Sequence, residues 1–332
     1  MVNQKLEFSV APMMKWTDHH CRFFHRLMTK KAFLYSEMIS ADALVYGPTD
    51  RLLYSNKFDE KTIIQIGGSN PDIMAKATYL IQKYGFKEVN LNIGCPSSRV
   101  QAGNFGACLM ETPNLVVNCI KSIQDKCHIP ISVKCRIGTE KMNDQNFFDF
   151  IDLISRTGVK KFVIHARKAI LNGFNPKQNR EIPPLNYQLV SLLKNKKMDL
   201  KIILNGGIKS IEAGLKYSKN FHLDGFMIGR EAYQNPYILS EVDSMMIGKE
   251  SNSLSRNEIA FKVATYIDKY CNSYVNEDFK VIRHILGLYN GMPGSKIWRT
   301  NIVKKITYKL KGDKIRFATD EIEKFICRKK VA

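Results

Sequence analysis

The chain has eight cysteines but no C-x-x-C pair, which argues against a zinc ribbon and a thioredoxin-type dithiol. Their scatter through a chain of this length suits a reducing, cytoplasmic setting. No G-x-G-x-x-G turn follows any apolar strand, which disfavours an open, dinucleotide-binding sheet. No apolar run reaches the length of a membrane span, and Met1 to Glu7 is polar without the apolar core of a signal peptide. Repeats and low-complexity segments are missing, and no His, Cys or carboxylate spacing suggests a metal site. Acidic residues are scarce: 31 Asp+Glu against 51 Lys+Arg leave a net charge of +20. Such an excess points to a polyanionic partner, nucleic acid ahead of anionic membrane.

What is present is a repeated alternation. Short apolar runs occur at Phe8 to Ala11, Phe33 to Tyr35, Ile63 to Ile66, Val89 to Leu91, Ile131 to Val133, Phe162 to Ile164, Ile202 to Leu204 and Phe226 to Ile228. Helical patterns separate them, with capping residues at Asp18, Asn70-Pro71 and Ser210. Strands this continuously apolar belong to a parallel sheet buried on both faces. Eight such units predict a closed (β/α)₈ barrel over residues 1–245. From 246 to 332 the pattern changes to a polar linker at Gly248 to Ser255 and then a small all-helical domain. Between Phe279 and Phe317 the bases, including Lys280, Arg283, Lys296, Arg299, Lys304 and Lys305, face a single acid, Asp313. A solvated face would mix signs, so this segment reads as a nucleic-acid surface.

Barrels gather their chemistry at the C-terminal ends of the strands. Here those ends carry Pro12-Met13-Met14, Glu37, Gln65, Asn92 with Cys95, Lys134 with Arg136, His165 with Arg167, Asn205-Gly206-Gly207 and Gly229-Arg230. Polar groups at so many strand ends have no packing explanation. The small turns after the last two strands let backbone N–H groups approach a phosphate, and Arg230 adds charge. Lys134 could stabilise an electron-accepting ring in its reduced, anionic form, and His165 and Gln65 could bond its edge. Together these favour flavin mononucleotide (FMN). Cys95 taken alone reads first as a small apolar plug, as most unpaired cysteines are.

The chain resembles the tRNA-dihydrouridine synthase family. The resemblance is carried by Ala11-Pro12-Met13-Met14, Trp16-Thr17-Asp18, Leu91 to Pro96, Gly106-Ala107-Cys108-Leu109 and Val133 to Gly138. It continues through His165-Ala166-Arg167-Lys168, Asn179 to Leu185, Asn205 to Ile208, Ile228 to Ala232 and Arg283-His284. The stretch Asn179-Arg180-Glu181-Ile182-Pro183-Pro184 is similar to the branch that modifies positions 20 and 20a of the D-loop; Lys15 departs from it, where an acid is usual. The resemblance implies an FMN-binding barrel, a helical tRNA-binding domain, and NADPH (or NADH) as reductant. It implies hydride transfer from reduced flavin to C6 of uracil, with Cys95 giving the proton to C5. It assigns Pro12, Met13, Met14, Gln65, Lys134, His165, Asn205, Gly206, Gly207, Gly229 and Arg230 to FMN. Asn92, Arg167, Asn179, Arg180, Lys296 and Arg299 are the expected contacts to the uracil or tRNA. No obligate protein partner and no membrane are expected. Two alternatives stay open at this level: an FMN barrel acting on a small molecule, as in dihydroorotate dehydrogenases, or a non-catalytic RNA-binding protein.

Overall fold

The computed structural model describes residues 6–54, 59–247, 253–270, 277–304 and 310–331. By backbone contacts the chain divides into two compact units, Met1–Lys15 with Phe33–Gly229, and Trp16–Ala32 with Arg230–Ala332. The change of pattern along the sequence predicts a single division, after residue 245.

The first unit is a closed parallel barrel in which eight strands pair in chain order. The strands are β1 (Glu7–Val10), β2 (Phe33–Ser40), β3 (Thr62–Gly67), β4 (Val89–Ile93), β5 (Ile131–Arg136), β6 (Lys161–His165), β7 (Lys201–Asn205) and β8 (Gly225–Ile228). Each lies where an apolar run predicts it, because both faces of a barrel strand are buried. Tyr35, Ile63, Val163, Ile203 and Met227, with Ala11 just beyond β1, form one buried cluster drawn from six strand positions around the ring. β2 runs five residues past its apolar run, through Ser36-Glu37-Met38-Ile39-Ser40. Its register with β3 shifts between Tyr35 and Met38. There the Ser36 hydroxyl accepts the Gln65 N–H at 3.0 Å, so a side chain replaces a ladder bond. A polar segment held this way carries no hydrophobic signal.

The outer helices start where caps predict them. Asn70 accepts from the Ile73 N–H at 3.1 Å ahead of the helix Pro71–Lys83, and Ser210 from Ala213 at 3.1 Å ahead of Ile211–Asn220. The helix Asp144–Ser155 begins three residues before its apolar face, at a reciprocal Asn143–Asn146 capping box. At the N-terminal ends of the strands, Glu7 is buried and bridges Lys161 (2.8 Å) and Lys201 (2.7 Å), and Glu88 adds a second partner to Lys161 at 3.2 Å.

The second unit is helical. It contains His19–Met28, Arg256–Tyr270, Glu277–Ile285, Ser295–Val303 and Asp313–Val331. Trp298 is fully buried in it, donating to the Ile285 carbonyl and packing on Tyr289, so it serves as core. Asp18 caps the first of these helices and also meets Arg283 and, at 3.0 Å, His284. Residues 248–252 of the expected linker Gly248 to Ser255, and Lys305, Tyr308 and Lys309, lie outside the described residues.

Candidate active site

Strand register assembles the site. Gln65 lies beside Asn90, Asn92 beside Lys134, Arg136 beside His165, and His165 beside Asn205. Because side chains alternate across a strand, Ile63 and Gln65, Val163 and His165, and Ile203 and Asn205 share their inward parity. The lower member of each pair fills the barrel core, and the upper member is a polar group at its mouth.

A ladder of amides and hydroxyls runs down from this rim. Asn92 donates to Gln65 at 2.8 Å, Gln65 to Asn90 at 2.7 Å, Asn90 to Ser132 at 2.9 Å, and Ser132 to Glu88 at 2.6 Å. Each buried polar group has its partner, so the amide orientations are fixed. The Asn92 carbonyl oxygen also accepts the N–H groups of Gly94 (3.2 Å) and Cys95 (3.0 Å). This Asx turn shapes the loop after β4 and leaves Cys95 partly exposed, with its Sγ 3.7 Å from the Ser97 hydroxyl. The loop is closed from behind. Ala107 donates to the Cys95 carbonyl at 2.9 Å, and Gly106 sits at φ +82° where a Cβ would come within 2.5 Å of that carbonyl. Gln101 donates to the Pro96 carbonyl at 2.9 Å and to Leu171 at 3.0 Å, joining this loop to the one after β6.

Three nitrogen bases meet at the next strand ends. Lys134 Nζ donates to Asn205 Oδ1 at 2.9 Å, and Asn205 donates onward to the Met227 carbonyl at 2.9 Å. Burial, then the neighbouring Arg136 charge, lowers the Lys134 ammonium to about 8. Arg136 is buried and, among the described residues, bonds only carbonyls, those of Gly94, Lys168 and Asn179. Burial and the charges of Arg136 and Lys134 hold His165 well below its ordinary value, so its imidazole is neutral at pH 7. Among the described residues, no carboxylate forms an ion pair with Lys134 or Arg136. By contrast Cys135, facing the other way on β5, is buried and pushed up to about 12, the behaviour of a packing thiol.

The turn after β7 is built for glycine. Gly206 and Gly207 have φ +109° and +70°, and a Cβ on Gly206 would lie 2.4 Å from the His165 ring. The Tyr187 hydroxyl donates to the Gly206 carbonyl at 2.6 Å. Gly229 differs. A Cβ there would meet Ala11 and Met13 in ordinary van der Waals contact, at 3.7 and 3.9 Å, so packing does not demand glycine at this position. Pro12 and Met13 are partly buried and Met14 is exposed. Arg230 is partly buried and opens the helix Arg230–Gln234 of the second unit.

The expected substrate residues fall in different places. Arg167 donates to the Pro183 carbonyl, and Arg180 is exposed on the short helix Gln178–Glu181. Asn179 is fully buried. Its amide accepts from the Ile170 N–H and donates to the Ile170 carbonyl, both at 2.8 Å, so it is committed to the backbone of this loop. Lys296 and Arg299 are exposed on the helix Ser295–Val303. Three other bases of the same stretch have acid partners: Arg283 with Asp18, Lys314 with Asp278, and Arg316 with Asp268 and Asp313. Sequence reasoning gave no role to Arg136 or Gln101. The only sequence signal for Arg136 is a charge at the end of a buried strand, and Gln101 has none.

The family model described as dihydrouridine synthase matches residues 9–323. The chain is 46% identical over 298 residues to a tRNA-dihydrouridine(20/20a) synthase of Vibrio parahaemolyticus, covering 89% of this chain and 90% of that one. It is 45% identical over 293 residues to the protein of the same name from Pseudomonas aeruginosa, covering 88% and 87%. A solved 2-naphthoyl-CoA reductase superposes with a TM-score of 0.53 at 10% identity, over 72% of this chain and 50% of that one. That likeness speaks to the barrel fold alone.

Proposed function

Because this chain belongs to the dihydrouridine synthase family, we propose that it reduces the C5–C6 double bond of uridines 20 and 20a in the D-loop of tRNA. FMN would be its bound flavin, with NADPH the preferred reductant over NADH. The observation that carries the reading is Cys95: a partly exposed thiol on a loop locked by Asn92 and Gly106, at the strand end next to Lys134.

The residues fit a flavin phosphate and ring. Lys134 brings positive charge without a carboxylate partner among the described residues, and Gly206 and Gly207 expose backbone in a turn closed to side chains. Lys134, His165, Gly206, Gly207 and Gly229 would hold the flavin, with Pro12, Met13 and Met14 along its edge. Gln65 and Asn205 act chiefly by fixing Asn92 and Lys134. The flavin, when bound, supplies the hydride. Cys95 holds a proton at Sγ and releases it to C5 of the base. Reaching both faces of the ring requires the uridine to leave its stack. Arg167 and Arg180 would meet the extruded nucleotide, and Lys296 and Arg299 the phosphates.

Mapping dihydrouridine in tRNA from cells lacking the protein tests the reading; retained modification at both positions would overturn it. Cys95→Ala should keep FMN and its reduction by NADPH while losing product by about 10²–10⁴-fold, the usual worth of a positioned acid. Undiminished product would remove Cys95 from the chemistry.

A further inference from the structure

The loop carrying Cys95 is tied twice to the segment after β6. Gln101 makes one tie with a neutral amide, to the carbonyls of Pro96 and Leu171. Arg136 makes the other. Its Nε donates to the Gly94 carbonyl at 3.0 Å, and its Nη1 to Lys168 at 2.9 Å and Asn179 at 3.0 Å. At 3% exposure this is a buried cation bonded only to neutral oxygens, an arrangement that costs desolvation without the return an ion pair gives. Holding two loops together does not require a charge, as Gln101 shows. A planar, rigid fork reaching three carbonyls at once is what a guanidinium adds over an amide. Those carbonyls belong to the residue before Cys95, to the residue after Arg167, and to the residue before Arg180.

We infer that Arg136 is a positioning residue that sets the Cys95 loop in register with the segment bearing Arg167 and Arg180, so that the thiol faces a base held by that segment. The inference rests on Cys95 as the proton donor. A shift of the loop by about 1 Å would cost on the order of 10²-fold in turnover while leaving flavin contacts made by other strands in place.

The test uses the full-length, FMN-loaded enzyme and two variants, Arg136→Met and Arg136→Lys. Three quantities are read: kcat and KM for tRNA, FMN affinity, and the rate at which iodoacetamide alkylates Cys95 without tRNA, followed by mass spectrometry. Arg136→Met should lower kcat about 10²-fold with KM and FMN affinity nearly unchanged, and should alter the alkylation rate. Arg136→Lys keeps the charge but not the fork, and should recover part of both losses. Should Arg136→Met fail to fold, Arg136→Lys decides alone. Wild-type kcat and alkylation in either folded variant would overturn the inference. So would a loss confined to folded fraction or FMN affinity with kcat of the loaded enzyme intact. If Cys95→Ala retained activity, the acid assignment would fall, while changed alkylation in Arg136→Met would still report the positioning.

Discussion

A lysine driven out of its ordinary range is the sharpest single-residue feature of the barrel mouth. Burial and then the neighbouring Arg136 charge push Lys134 down to about 8, although its Nζ donates to the Asn205 amide. An anionic ligand beside it would favour the ammonium and raise that value. FMN binding between about pH 8 and 9 should therefore be accompanied by proton uptake. Calorimetry in buffers of different ionisation enthalpy measures it, and Lys134→Met should abolish it; buffer-independent heats would separate Lys134 from the ligand. Gly206 is the backbone counterpart. Its φ of +109° and the 2.4 Å approach of the His165 ring leave no room for a side chain. Gly206→Ala should displace the ring and weaken FMN binding at least about tenfold, a cost of the 1–3 kcal/mol that strained backbone carries. Equal affinity in a fluorescence titration would show that the turn is not part of the flavin site.

Among the elements, the helix His19–Met28 depends most on one group. Asp18 accepts the Cys21 N–H at 2.9 Å as its cap and meets both His284 and Arg283. Burial would raise this carboxyl, but the bonds and charges of His284, the Cys21 N–H and Arg283 win, holding it well below the carboxylate range. A depressed carboxylate stabilises the fold fully above its unfolded value near 3.9, and that contribution fades as pH falls through the folded value. Stability should therefore decline below about pH 4, and Asp18→Asn should lower stability at pH 7 while flattening that acid limb. Urea titrations at pH 7 and about pH 2 distinguish the outcomes; parallel losses at both would deny the linkage. The same helix carries His19 and His25, which burial lowers to about 3, so they are packing groups that stay neutral.

At the scale of the whole molecule the net charge of +20 is divided between bases with acid partners and bases without them. Arg283, Lys314 and Arg316 are engaged by carboxylates, whereas no ion pair among the described residues takes Lys296, Arg299 or Lys304. Reversing Lys296 and Arg299 together to Glu should raise KM for tRNA about tenfold or more. It should also reduce the salt dependence of binding by about two phosphate contacts, with kcat and flavin content preserved. Unchanged KM and salt slope would place the tRNA contacts on other bases. Among the described residues, no helix is long and apolar enough to cross a membrane.

The eight strands, their order and the caps at Asp18, Asn70 and Ser210 were legible from sequence, because burial on two faces and orphan helix N–H groups impose residue types locally. The strand ends likewise announced Cys95, Lys134 and His165 as polar groups following apolar runs. Which partner each found was not legible. The Asn92–Gln65–Asn90–Ser132 ladder, the Lys134–Asn205 bond and the three carbonyls on Arg136 join residues from separate strands and loops. Such pairings follow from strand register and loop closure rather than from local pattern. The grouping of Trp16–Ala32 with Arg230–Ala332 is of the same kind. A helix signal reveals an apolar face, and only the folded chain decides what covers it.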